Sequence, residues 1–167
     1  MTNSRRKAAT DGAVSGLIAG IGFGIAQLIA SSIVYNLPLL PLRMAGGIVL
    51  GGQALEPTTP IAGVAIIGVL VHFALSSVFG TLFGLMNGMF RHETQVRSER
   101  QLAIGLAFGS LLWVINFQLI GRVLFPWFLS TQEVVQLFLH AVAFGIPLGL
   151  LFASAERHAL PEAGTHV

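Results

Sequence analysis

The stretch IAGVAIIGVLVHFALSSVFGTLFGLMNGMF, residues 61–90, decides the fold of this chain. It contains no Asp, Glu, Lys or Arg at any of its thirty positions. A helix needs about 20 consecutive apolar residues to cross the hydrocarbon core of a bilayer. The stretch therefore predicts a membrane-spanning helix with residues to spare.

The composition of the whole chain agrees with a membrane protein. Of its 167 residues, 54% are hydrophobic and only 10% are charged, whereas soluble domains carry about 25% charged residues. A water-soluble fold could not hide this much apolar surface. We therefore expect a single membrane domain over residues 1–167. The net charge of +2 reflects scarce acids rather than a basic face, so a nucleic-acid partner is not expected.

Four apolar segments predict an all-α protein with four transmembrane helices. The spans are expected at about 12–36, 61–90, 99–122 and 131–156. Pro147 should kink the fourth helix. Side chains that can cap a helix precede each span: Thr10 or Asp11, Thr59 before Pro60, Ser98 with Gln101, and Ser130 with Glu133.

The longest connection, residues 37–59, is apolar in its middle but too short to span. It is either interfacial or re-entrant. A re-entrant piece has to be covered by protein, because bare loop backbone cannot face lipid. Interfacial placement is therefore favoured.

The basic residues predict the orientation of the chain. With both termini in the cytoplasm, seven of the nine Lys and Arg residues lie inside: Arg5, Arg6, Lys7, Arg91, Arg97, Arg100 and Arg157. Only Arg43 and Arg122 lie outside. This bias follows the positive-inside rule and indicates a multi-pass protein of the bacterial inner membrane.

Glycines recur at four-residue spacing in every predicted span. Such ridges let helix backbones approach closely in lipid, where burial of apolar side chains gives little attraction between helices. The spacing favours tight helix packing, within the chain or with a partner, and a transport path is the alternative. The residues are Gly16, Gly20, Gly24, Gly80, Gly84, Gly88, Gly105, Gly109, Gly145 and Gly149.

Two of these ridges resemble each other. The segment GLIAG at 16–20 matches GLAFG at 105–109, and in this register Gln27 falls opposite Asn116. The match predicts two repeated helix pairs of the same orientation. The alternative is a chance similarity between apolar, glycine-rich helices.

Two intramembrane histidines are the candidate ligand residues. His72 and His140 lie on helices that start on the same side, so they could ligate a haem b iron axially. Arg43 and Arg122 on that side could pair with the haem propionates. The alternative is two neutral histidines bonded to Asn116, Gln27 or a serine. Gln136, one turn before His140, could orient its ring, and Gln27, Asn116 and Gln136 are the predicted buried polar residues.

Several segments resemble a group of small bacterial membrane proteins whose activity is not assigned. The matching segments are PLRM at 41–44, IVLG at 48–51, FPWF at 125–128, and the pairs 72–73, 116–117 and 135–136. The resemblance covers most of residues 38–150. It implies four spanning helices and no particular activity.

Three functions follow as hypotheses. The first is a non-catalytic helical bundle without a cofactor, which associates with itself or is an accessory subunit of a larger membrane complex. The second is the haem protein, and the third is a small transporter or channel with 37–59 as a re-entrant gate. An enzyme is not expected. Ser76, Ser77 or Ser110 with a histidine could mimic an intramembrane serine protease, but no GxSxG motif is present.

Overall fold

The computed structural model describes residues 3–158, and helices make up most of this part of the chain. We label them in order: α1 (Asn3–Tyr35), α2 (Leu40–Leu50), α3 (Ile61–Asn87), α4 (His92–Gln95), α5 (Ser98–Leu124) and α6 (Glu133–His158). Helix α5 contains a π-helical stretch, Val114–Gly121, and α6 contains another, Leu139–Gly145. Short 3-10 turns follow at Gly52–Leu55 and Pro126–Ser130. No strand occurs among the described residues.

The helices α1, α3, α5 and α6 are each long and apolar enough to cross a membrane. The predicted class, an all-α protein with four transmembrane helices, is confirmed. Three of the four predicted spans agree with the observed helices to within three residues at each end. The first does not, because α1 already contains the basic segment at its start.

The start of α1 differs from the prediction for a local reason. Neither Thr10 nor Asp11 caps the helix, because both lie well inside it. The Thr10 hydroxyl donates to the carbonyl of Arg6 at 3.0 Å, and Lys7 Nζ lies 2.5 Å from Asp11 Oδ2. An ion pair at a spacing of four residues stabilises a helix, so the extra turns form where a loop was expected.

The other three predicted caps are also wrong. Helices α3, α5 and α6 begin after Pro60, Arg97 and Gln132, without a side-chain cap bond. The hydroxyls bond elsewhere: Thr59 donates to Gln53 O, Ser130 donates to Trp127 O, and Ser98 accepts from Arg157. Ser and Thr side chains readily bond to nearby carbonyls, which competes with capping.

A π-helical stretch lies where Pro147 was expected to kink α6. The stretch ends at Gly145, two residues before the proline. Proline has no N–H to donate and its ring crowds the carbonyl one turn earlier. The π turn changes the backbone hydrogen bonds in the turn before the proline. The chain then continues as α-helix from Ile146 to His158.

Glycines form the contact between α1 and α3. A Cβ atom added to Gly12, Gly16, Gly80 or Gly84 would overlap the backbone of the opposite helix. For example, a Cβ on Gly80 would meet the carbonyl oxygen of Gly12 and, at 2.7 Å, the Cα of Gly16. Gly16, Gly80 and Gly84 of the predicted ridges thus pack closely, and they do so inside the chain.

Helices α5 and α6 pack through a second contact of the same kind. Here a Cβ on Gly145 would meet the carbonyl oxygen of Gly105 and the Cα of Gly109. Gly149 faces Gln101 and Gly105 just as Gly84 faces Ala8 and Gly12. The same backbone contacts therefore recur in the two helix pairs.

This recurrence corrects the register that the sequence suggested. By their contacts Gly12 corresponds to Gly105 and Gly16 to Gly109, one helical turn away from the predicted match of Gly16 with Gly105. Gln27 consequently does not correspond to Asn116. Glycine ridges at four-residue spacing match equally well after a shift of one turn, so the sequence could not fix the register.

The remaining glycines of the ridges on α1 and α3 make different contacts. A Cβ on Gly20 would lie 2.6 Å from the Ser76 hydroxyl, and one on Gly24 would lie 3.2 Å from the His72 ring. Gly88 follows the end of α3, is exposed and lies near the Ala8 side chain. These three positions adjoin side chains of other helices, so the tightest backbone contact between α1 and α3 ends at Gly16.

Aromatic side chains fill the space between the two pairs. Phe83 of α3 and Phe152 of α6 are fully buried, and their ring centroids are 5.7 Å apart. Phe108 of α5 lies 5.1 Å from Phe83, edge to face. Buried aromatic pairs in this geometry add to the stability that burial provides. They join α3 to α5 and α6.

The short helix α2 packs against the first part of α3. A Cβ on Gly68 of α3 would overlap the backbone of Leu42, and one on Gly46 would lie 2.8 Å from Val64 O. Helix α2 therefore runs antiparallel along the first part of α3. Gly68 is about 10 Å from the start of α3 at 1.5 Å per residue. The contacts of α2 fix its place against α3 and not its depth in lipid, so interfacial or re-entrant placement of residues 37–59 stays a prediction.

Two features hold α2 in this position. Asn36, with φ of 54°, turns the chain back after α1, so that Leu37 lies beside Ser31. On the other side Trp127 Nε1 donates to Met44 O at 3.3 Å. Helix α1, helix α3 and the connection after α5 thus cover α2 with protein, as a re-entrant segment would require. The sequence alone did not bring these segments together.

Candidate functional site

The two predicted ligand histidines both contact one phenylalanine. Phe23 of α1 stacks on His72 at 5.7 Å between ring centroids and meets His140 edge to face at 5.0 Å. His72 Nε2 is 2.8 Å from Gly20 O, and His140 Nδ1 is 2.8 Å from Gln136 O. A carbonyl oxygen only accepts, so these two nitrogens carry the hydrogens and donate.

These bonds differ from both expectations for the histidines. Their partners are backbone carbonyls rather than Asn116, Gln27 or a serine. Gln136 orients the His140 ring through its main chain, not through its side chain. Phe23 contacts both imidazole rings, so a porphyrin held between them would have to displace it. The haem hypothesis stays a prediction that requires Phe23 to move, and the absence of a Soret band in membranes holding the protein would exclude it.

Arg43 and Arg122 bond to groups other than the two histidines. Arg43 donates to the carbonyls of Ala54, Glu56 and Thr59 at 2.8 to 3.1 Å, and so fixes the loop after α2. Arg122 donates to Gln118 Oε1 and lies 3.4 Å from Glu133. Arg43 thus has a structural role that the sequence did not indicate.

Only one of the three predicted buried amides is buried. Gln136 is 8% exposed, whereas Gln27 and Asn116 are half-buried. The side-chain oxygen of Gln136 has no hydrogen-bond partner among the described residues. A buried polar atom without a partner costs free energy and usually marks a bound water, a ligand or strain.

A small cavity lies beside Gln136 at the start of α2. Its volume is about 30 Å³, enough for one water-sized group. It lies between α1, α2 and α6. Its polar lining consists of Gln27, Ser31, Tyr35, Thr131 and Gln136.

A larger groove adjoins the other side of the start of α2. Its volume is about 210 Å³, and α1, α2 and α3 form its walls. The lining is mostly apolar, and His72 and Gln27 are its polar side chains. Ile21 and Ile25 on its edge are more than half exposed, so the groove opens to the outer surface. Gln27 and Pro41 line both the groove and the small cavity.

Two polar clusters at the opposite end of the helices were not predicted. Gln101 Nε2 donates to Asn87 Oδ1 at 2.6 Å, and both side chains are fully buried. Lys7 Nζ lies 2.9 Å from Glu156 Oε1, and Glu156 is 8% exposed. Their contacts join residues far apart in the chain, and no local sequence signal connects them. They bring the start of α1 and the end of α6 to the same end.

Two of the serines considered as nucleophiles, Ser76 and Ser110, bond to backbone carbonyls. Ser76 Oγ donates to His72 O at 2.8 Å, and Ser110 Oγ donates to Leu106 O at 2.9 Å. Each hydroxyl thus bonds to the main chain one turn earlier, as serines in helices often do. Activation of a serine by a histidine requires a direct bond between the two side chains.

Comparison with known protein families, with curated proteins and with solved structures finds no match to this chain. The resemblance noted in the sequence stays a prediction.

Proposed function

We propose that this chain is a non-catalytic protein of the bacterial inner membrane, with both termini in the cytoplasm. It acts by packing against other membrane-spanning helices, as a self-associating protein or as an accessory subunit of a larger complex such as a respiratory one. The observation that carries this proposal is the surface of α1, whose apolar side chains remain exposed while its glycines are used inside the chain.

The exposed stripe of α1 suits lateral contact. It follows a spacing of three or four residues, and Ile18, Ile29 and Ile33 are 49 to 79% exposed. A β-branched side chain in a helix keeps essentially one rotamer. Packing such a stripe against a partner therefore costs little side-chain entropy. The internal bonds of the histidines and serines also favour a role without catalysis.

Single cysteines test this proposal directly, because the chain contains no Cys. With Ile29→Cys, a bifunctional thiol reagent of short span applied to native membranes is expected to give a cross-linked dimer or a product with another protein. Leu102→Cys on the exposed face of α5 is the matched control and should give little product. A monomer that cross-links nowhere on α1 and purifies alone would contradict the proposal.

A small transporter or channel is the second candidate, favoured by the packing of α2 along the first part of α3. Irregular segments inside the membrane often border a solute path. If α2 is a gate, cysteines at Ile48, Val49 and Leu50 should react with a membrane-impermeant thiol reagent to a degree that changes with the solute supplied. Constant, shallow labelling of all three would count against a pore element.

A further inference from the structure

We propose that the small cavity and the adjoining groove form one binding site for an uncharged amphiphile bearing a hydroxyl group, taken up from the bilayer. The hydroxyl occupies the cavity beside Gln136, and the hydrocarbon part lies in the groove between α1, α2 and α3. This site goes beyond the proposed lateral packing and does not depend on it.

The unpartnered oxygen of Gln136 defines the polar end of the ligand. The side chain is more than nine-tenths buried and lines the cavity, and its Oε1 has no partner among the described residues. An amide oxygen accepts hydrogen bonds, so the missing group is a donor. A carboxylate offers only acceptor oxygens and would be repelled. A hydroxyl donates, and its size suits a cavity of about 30 Å³.

The groove defines the apolar end. An apolar cavity of about 150 Å³ is large enough to bind benzene, and this groove has about 210 Å³. Its lining includes Leu28, Leu42, Val69 and Phe73, which suit hydrocarbon. Since the groove opens beside the exposed Ile21, a ligand dissolved in the bilayer can enter sideways.

The two parts adjoin at Gln27 and Pro41, which line both. Gln27 is half-buried and offers an amide on the path between them. His72 adds a second acceptor at the groove, because Nε2 donates to Gly20 O and leaves Nδ1 without a hydrogen in the neutral ring. A water molecule could fill the cavity, but the groove would then hold only lipid chains. Lipid chains have no hydrogen-bond donor for Gln136.

The binding test uses the full chain in phosphatidylcholine nanodiscs, because this lipid has no hydroxyl in its headgroup. We expect native mass spectrometry to show one bound 1-hexadecanol per chain, and hexadecyl methyl ether, which lacks the donor, to bind about tenfold more weakly. Gln136→Leu should lower the affinity for the alcohol about tenfold and leave that for the ether unchanged. Gln53→Leu, an exposed glutamine in the loop after α2, is the matched control.

A second variant guards against misfolding of Gln136→Leu. Ala45 lines the groove, so Ala45→Phe should fill it and abolish binding of both alcohol and ether. Equal affinity for alcohol and ether would overturn the assignment of Gln136. Binding that survives Ala45→Phe, or no binding of the alcohol to the unmodified chain, would overturn the site itself, with water alone as the occupant of the cavity.

Discussion

Gly80→Leu is expected to destabilise the protein by about 3 kcal/mol, the upper part of the range for overpacking of a closed core. A Cβ at this position overlaps the carbonyl oxygen of Gly12 and lies 2.7 Å from the Cα of Gly16. Both are backbone atoms, so no side chain can move away to make room. Helices α1 and α3 would have to separate along their whole seam and lose the close contacts that hold them together in lipid.

Gly63→Leu is the matched control for this prediction. Gly63 lies on the same helix, and no atom outside the adjacent backbone lies within 4 Å of a Cβ added there. Because Gly disfavours a helix by about 1 kcal/mol relative to Ala, this change should be neutral or slightly stabilising. Reversible unfolding in mixed micelles with increasing dodecyl sulfate measures both variants. Equal midpoints for Gly80→Leu and Gly63→Leu would show that the seam does not support the fold.

The second large effect is expected at the buried amide pair. Asn87→Leu removes the acceptor for Gln101 Nε2 and leaves a buried amide with fewer partners. An unsatisfied buried polar group costs about 1–3 kcal/mol. We expect a loss of stability of about 2 kcal/mol, and faster hydrogen exchange in the connection at 88–97, because Gln95 and Gln101 both bond to this end of α3.

The double variant Asn87→Leu with Gln101→Leu distinguishes hydrogen bonding from packing. Replacing both partners by apolar groups of similar size can be nearly neutral. We therefore expect the double variant to recover most of the stability lost in either single variant. If the two losses simply add, the amide pair is not coupled, and its role is limited to filling space.

The sequence predicted the spans well but not the side-chain bonds at the starts of the helices. An apolar run such as residues 61–90 has no other stable place than the hydrocarbon core, so its helix is decided locally. The caps at Thr59, Ser98 and Ser130 failed because a hydroxyl has several carbonyls within reach, and the nearest one depends on how the loop folds. Similarly, the close packing of the glycines was predictable, whereas the register between the two pairs was not.

The candidate site could be predicted only in part. His72, His140, Gln27 and Gln136 were identified because ionisable and amide groups are rare and costly inside a membrane. That Phe23 contacts both histidines, and that α2 packs against α1 and α3, depends on contacts between distant segments. The pairs of Asn87 with Gln101 and Lys7 with Glu156 were missed for the same reason.

The sequence by itself therefore determined the solvent of this protein and the number of its crossings, because the hydrophobic effect acts on each segment independently of the others. The tertiary structure alone decided which helices share a glycine seam, against which helices α2 packs, and that the buried oxygens of Gln101 and Gln136 are left without a donor among the described residues. These features depend on backbone distances between segments far apart in the chain, and close packing of whole helices sets those distances.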